Sequence, residues 1–257
     1  MKKLASVIMA GIMCLSIASC GSKTASDKEY ITENGKMIIG ITNYEPMNYQ
    51  ENGEWTGFDT EFAEAVCAQL GVKAEFVEID WDNKFPELSS KSIDCIWNGM
   101  TITDEVKLNA DVSKAYVKNA QVVVMNKDKV AEYQTKESLA DIKFAAEAGS
   151  AGETAVIDAG FEANLVSTAA QTDALLEVKS GSVDACVIDI TMANAMTGEG
   201  TSYADLAPGM ELTTEEYGIA FRKGSDLTAE VDAIMDSLKA DGTLDKLAEK
   251  YQLTLAF

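Results

Sequence analysis

The chain has 257 residues, 47% hydrophobic and 25% charged, an ordinary globular composition that suffices for one large domain or two lobes. Its formal net charge is −21, from 21 Lys+Arg against 42 Asp+Glu, which excludes the basic footprint that nucleic-acid binding requires. Histidine is absent, which excludes Ser-His-Asp and Cys-His catalysis and His-based zinc sites; no cofactor motif and no metal-ligand spacing is present.

The chain opens on a targeting pattern. Lys2 and Lys3 precede an apolar run of about fifteen residues, Leu4 to Ala18, too short to span a bilayer. The run ends in "SIASCG", where Ala18 and Ser19 before Cys20 resemble the lipobox of bacterial lipoproteins. That resemblance implies a signal peptide over 1–19, cleavage before Cys20, acylation of Cys20, and a polar lipid-anchored tether over 20–35. The alternative is a secretory signal followed by a chance cysteine. Cys67, Cys95 and Cys186 remain at no metal spacing and read as small buried hydrophobes, with a Cys67–Cys95 disulfide left open.

From "KMIIGIT" (36–42) onward, strands and helices alternate. "DTEFAEAVCAQL" sets Phe62, Ala65, Val66 and Leu70 on one helical face, with Asp59 as a candidate cap and Gly71 as the stop. Further strands are expected at 74–79, 93–99, 143–149, 163–169 and 183–189, with helices at 81–91, from Gly152 and from Thr172. "QVVVMNKD" (121–128) and "EEYGIAFRKGSD" (215–226) read as strands that carry the chain between two halves, and two amphipathic helices close it, Leu227–Lys239 and Thr243–Tyr251. A phrase is written twice: "ELSSKSIDCIWN" (87–98) and "EVKSGSVDACVI" (177–188), each a helix end, a turn and a buried strand. Alternating β and α predicts an α/β fold with parallel sheets, which bind ligands beyond the carboxyl ends of their strands. Here those ends are Asn98–Gly99 and Asp189.

Six segments in order, "NYEPMNY", "GEWTGFDTEFAEAV", "WNGMTITDE", "AEAGSAGETAV", "VDACVIDITMANA" and "EEYGIAFRKGSDL" with "ADGTLDKLAEKY", resemble the periplasmic amino-acid-binding proteins of ABC importers, the solute-binding family 3 group. The resemblance implies a two-lobed type II periplasmic-binding-protein fold, with lobe 1 over 36–122 plus 218–257 and lobe 2 over 123–217. It further implies a small solute buried between closing lobes, a membrane permease as partner and a monomeric, membrane-tethered chain on the extracytoplasmic face.

A free amino acid presents an ammonium and a carboxylate, and burying both requires paired charge and full hydrogen bonding. Asp189 and the Gly99 carbonyl can accept from the ammonium; Thr101 and the amides of Ser150 and Ala151 can donate to the carboxylate. These positions match the family's binding positions, and the family also uses aromatics at Tyr44 and Trp81 to cover the ligand side chain. Asp189 as a helix cap, and the two aromatics as rim or core, are the structural alternatives. The pattern departs at Val106, where the family carries an arginine that forks onto the ligand carboxylate; the sole arginine here is Arg222. Two other functions stay open: a dehydratase-like enzyme using paired carboxylates, such as Glu45 and Asp189, for acid–base work, and a ligand-sensing subunit.

Cys20→Ala is expected to release the protein from the membrane or to leave the signal segment uncleaved, read by cell fractionation and by the mass of the mature chain. Unchanged attachment and processing would contradict the lipobox reading.

Overall fold

The computed structural model describes residues 26–257; the expected signal segment and Cys20 lie outside the described residues. Two sheets form the two lobes. The first is built from β1 (Lys36–Ile41), β4 (Lys73–Glu78), β5 (Cys95–Thr101), β6 (Asp111–Val112), β7 (Val117–Asn119) and β13 (Glu215–Phe221), in the order β4-β1-β5-β13-β6 with β7 also on β13. The second is built from β8 (Gln121–Asn126), β9 (Phe144–Glu147), β10 (Leu165–Thr168), β11 (Ala185–Asp189) and β12 (Leu206–Glu211), in the order β10-β9-β11-β8-β12. A small hairpin, β2 (Tyr49–Glu51) with β3 (Glu54–Thr56), stands beside the first. The helices are α1 (Asp27–Asn34), α2 (Phe58–Leu70), α3 (Lys84–Ser89), α4 (Asp104–Asn109), α5 (Ala151–Asp158), α6 (Gln171–Ser180), α7 (Ile190–Met196), α8 (Leu227–Ala240) and α9 (Thr243–Tyr251).

In each lobe three neighbouring strands run parallel, β4-β1-β5 and β10-β9-β11, so their carboxyl ends open on the same side. The expected βα alternation is therefore present, with element bounds within a few residues of those read from the sequence. Gly71 ends α2 in the left-handed conformation, φ 74°.

The repeated phrase is a structural stitch. Ser90 Oγ donates to the Glu87 carbonyl and meets Ser92 Oγ at 3.0 Å; Ser180 Oγ donates to the Glu177 carbonyl and meets Ser182 Oγ at 2.8 Å. Asp94 then accepts from the Ile38 N–H, and Asp184 from the Lys143 N–H, each at 2.9 Å. Each aspartate pins the start of its strand to a backbone amide at or just before the neighbouring strand, β1 in one lobe and β9 in the other.

Three expectations are corrected. Residues 27–34 are not tether: Ser26 caps α1 by accepting from the Glu29 N–H, and fully buried Ile31 packs the helix onto lobe 1. Asp59 does not cap α2, whose cap position is Gly57; it is fully buried and accepts from the Gly99 N–H (2.6 Å) and the Tyr116 hydroxyl (2.9 Å). The chain passes between sheets at Ala120 and at 212–214, whereas "QVVVMN" and "EEYGIAF" are interior strands of the second and first sheet. Lobe 2 therefore begins at Gln121, and lobe 1 resumes at Glu215. The two crossings are tied together: the Gln121 N–H donates to Thr213 Oγ1 and the Leu212 N–H to the Gln121 carbonyl. Cys67, Cys95 and Cys186 are free and buried.

Arg222 is committed to this framework. Its Nε meets Asp27 at 3.0 Å, its Nη2 meets Asp94 at 3.1 Å, and Nη1 donates to the Ile93 carbonyl at 2.7 Å. Removing one partner of this partly buried charge cluster leaves buried Asp94 without its cation. Arg222→Ala is expected to lower unfolding free energy by about 3 kcal/mol in a denaturant titration. A loss below about 1 kcal/mol would contradict the structural role.

Candidate functional site

The parallel strands of both lobes end at one cavity of ≈ 410 Å³ between them. Lobe 1 contributes Tyr44 from the loop after β1, Trp81 from the turn after β4, and Gly99 and Thr101 from the end of β5; lobe 2 contributes Ser150 and Ala151 after β9 and Asp189 at the end of β11. All seven expected site residues line this cavity, as does buried Val106. Glu45 is not among the residues that line this cavity.

The Asp189 carboxylate is fully engaged. Asp189 occupies the cap position of α7 but makes no side-chain cap bond. Instead its carboxylate accepts from Gln121 Nε2 (2.9 Å), Gln171 Nε2 (2.6 Å), the Tyr217 hydroxyl (2.8 Å) and Asn119 Nδ2. Burial, and Glu215 nearby, push its carboxyl above the ordinary range. Glu215 likewise accepts from four donors, Thr101 Oγ1 (2.7 Å), Asn119 Nδ2 (2.6 Å), Gln121 Nε2 (2.7 Å) and Thr213 Oγ1 (3.2 Å).

Two of the expected carboxylate donors are therefore already engaged. The Thr101 hydroxyl is spent on Glu215, and the Ser150 N–H closes onto the Glu147 carbonyl at 3.2 Å while its hydroxyl caps α5. The cation that faces the cavity is Lys84, unnoticed in the sequence, where a lysine in a polar turn reads as surface. It is 5% exposed, stands 5.1 Å from the Trp81 ring centroid, and donates to the carbonyls of Trp81 (3.1 Å) and Gly149 (2.8 Å). Burial pulls its ammonium below the ordinary lysine value, against the upward pull of Glu105, Asp82, Glu147 and Asp80.

The lobes touch across the cavity through this bond and through Tyr44, whose hydroxyl meets Thr191 Oγ1 at 2.5 Å. Two glycines permit the approach. A Cβ on Gly99 would stand 2.6 Å from the Tyr44 ring, and one on Gly149 would stand 2.8 Å from Asp82 Oδ1; both residues have left-handed φ, +54° and +67°.

The family of bacterial extracellular solute-binding proteins, family 3, matches residues 37–254. The L-arginine-binding protein of Pseudomonas aeruginosa is 31% identical, over 98% of this chain and 96% of its own. A substrate-binding protein of an ABC uptake transporter from Streptococcus pneumoniae, with bound histidine, has a TM-score of 0.78 at 29% identity, over 88% of this chain and 96% of that one. The ancestral amino acid-binding protein AncCDT-1, a precursor of cyclohexadienyl dehydratase, has a TM-score of 0.81 at 33% identity, over 88% and 99%.

Burial raises three carboxyls of this region: Asp59 to about 7, Glu147 to about 8, and Asp189 upward. Each binds its proton more tightly folded than unfolded, so folding takes up protons between about pH 4 and pH 8. That contribution is complete below the unfolded value and is lost as pH rises through the folded one. Without added solute, the thermal midpoint is expected to fall by several degrees from pH 5 to pH 8, and Asp59→Asn to flatten the fall. A midpoint that rises over this interval, or a slope untouched by the substitution, would contradict the assignment.

Proposed function

The chain belongs to family 3 of the bacterial extracellular solute-binding proteins, and from that premise we propose that it captures an amino-acid-type solute and delivers it to the permease of an ABC importer. It works as a monomer on the extracytoplasmic face, held by a lipid on Cys20. The observation that carries this reading is the convergence of seven residues from two sheets on one cavity whose walls already touch. The relatives that bind arginine and histidine support the amino-acid class.

In this reading Asp189 and the Gly99 carbonyl hold the solute ammonium. Tyr44 and Trp81 cover its side chain. Lys84, with the first amide of α5 at Ala151, receives its carboxylate in place of the arginine missing at Val106. Lysine is a point charge, not a fork, so carboxylate recognition is less directional than a guanidinium would give. Closure turns about the crossings at Ala120 and 212–214, and contacts made only in the closed state drive it.

The test is a thermal-shift screen of the mature protein against the twenty amino acids, polyamines and small amines. A bound solute stabilises by RT ln(1 + [L]/Kd), so a tight one stands out. The strongest stabiliser is then titrated calorimetrically into wild type and Asp189→Asn. Affinity is expected to fall about tenfold or more in the variant, the loss of one charge-assisted contact. Equal affinity in the two proteins would contradict the role of Asp189. Heat that persists after saturation would favour the dehydratase-like reading.

A further inference from the structure

β9 ends in Glu147, beside Asp189 at the end of its parallel neighbour β11. The Glu147 side chain lines the cavity and is 3% exposed. Its Oε1 has no hydrogen-bond partner among the described residues, and neither has Oε1 of Gln121, which lines the same cavity. The contrast with Asp189 is sharp. Asp189 is surrounded by four protein donors, whereas Glu147 is buried with an oxygen left bare. An ionised carboxylate in that situation is costly unless a cation meets it, and without one burial keeps the Glu147 carboxyl protonated up to about pH 8.

The protein's own charges do not meet that need. Lys84 is the cation within electrostatic reach, but its ammonium is held by the carbonyls of Trp81 and Gly149. The other charged groups that act on Glu147 are acids: Asp189 at the end of β11, Asp173 on α6 and Asp80 before the Trp81 turn. Six acidic side chains, Asp104, Glu105, Glu147, Asp158, Asp189 and Glu215, line the cavity against one lysine, Lys84.

We propose that Glu147 is a second cation-binding subsite, separate from Asp189, and that the solute carries two cationic nitrogens. One nitrogen completes the Asp189 cluster; the other meets the Glu147 carboxylate. This rests on the solute-binding reading above and narrows it to basic solutes. The shared chemistry occurs with a carboxylate, in diamino or guanidino acids, and without one, in diamines. Lys84 separates the two sources, because a carboxylate gains from it and a bare diamine is repelled.

The test is calorimetric titration of the mature protein with L-lysine, L-ornithine, L-arginine and cadaverine, each against neutral counterparts, L-norleucine for lysine and L-citrulline for arginine. At least one dicationic solute is expected to bind a hundredfold or more tighter than its neutral counterpart. Glu147→Gln keeps the shape and removes the charge; it is expected to cut that preference at least tenfold while leaving L-norleucine binding within about threefold. Tight lysine with weak cadaverine assigns the carboxylate-bearing class, and the reverse assigns the diamines. A neutral amino acid that binds as tightly as its cationic counterpart overturns the subsite, while the solute-binding reading survives if Asp189→Asn weakens that neutral solute. A wild-type preference unchanged in Glu147→Gln also overturns it. Should the variant fail to fold, the wild-type comparison decides alone. Binding of no solute in the set overturns the subsite, and a flat thermal-shift screen overturns the solute-binding reading with it.

Discussion

A carboxylate at a buried strand end must be surrounded by donors, and Asp189 draws its donors from both lobes. Asn119 and Tyr217 stand on strands of the first sheet; Gln121 and Gln171 belong to the second lobe. Asn119 and Gln121 flank Ala120, where the chain crosses between lobes, and Glu215, which shares those two amides, opens the strand that follows the return crossing. The two chain crossings and the cavity wall are thus joined in one hydrogen-bond network. In the proposed function, a solute charge beside Asp189 acts on Glu215 as well, and so on the amides shared at the crossing.

Support for that network comes from groups that never face the cavity. Asp59, buried under Gly99, holds the β5 terminus by accepting from the Gly99 amide, and Tyr116 holds Asp59. Gly99 then lets the Tyr44 ring lie against the backbone, and Tyr44 reaches Thr191 on the other lobe. Arg222, despite being the sole arginine, secures α1 and the turn before β5. The chain therefore gives its guanidinium to the framework and leaves Lys84 to face the site.

Much of this was legible in the sequence, for physical reasons. Apolar β-branched runs ending at Gly99 and Asp189, with helices stopped at Gly71, carried the βα architecture and hence the strand ends that converge on the cavity. The first helix was missed because "GSKTASDKEY" is polar throughout, although its Ser26-to-Glu29 spacing is a capping-box signal. Asp59 read as a cap because an aspartate near a helix start usually is one; only tertiary packing places it under Gly99. Lys84 and Glu147 were missed because side-chain direction depends on how two lobes face each other. The trace they left was slight: for Glu147, a lone acid ending the apolar strand "FAAE" just before a glycine turn.

The central claim is that solute binding and lobe orientation are coupled through the Asp189 network. Small-angle scattering of the mature protein, with and without a saturating concentration of the solute that stabilises it most, tests this directly. The account predicts a smaller radius of gyration with solute, and no such change in Asp189→Asn at the same solute concentration. Identical scattering profiles for wild type at proven saturation would contradict it.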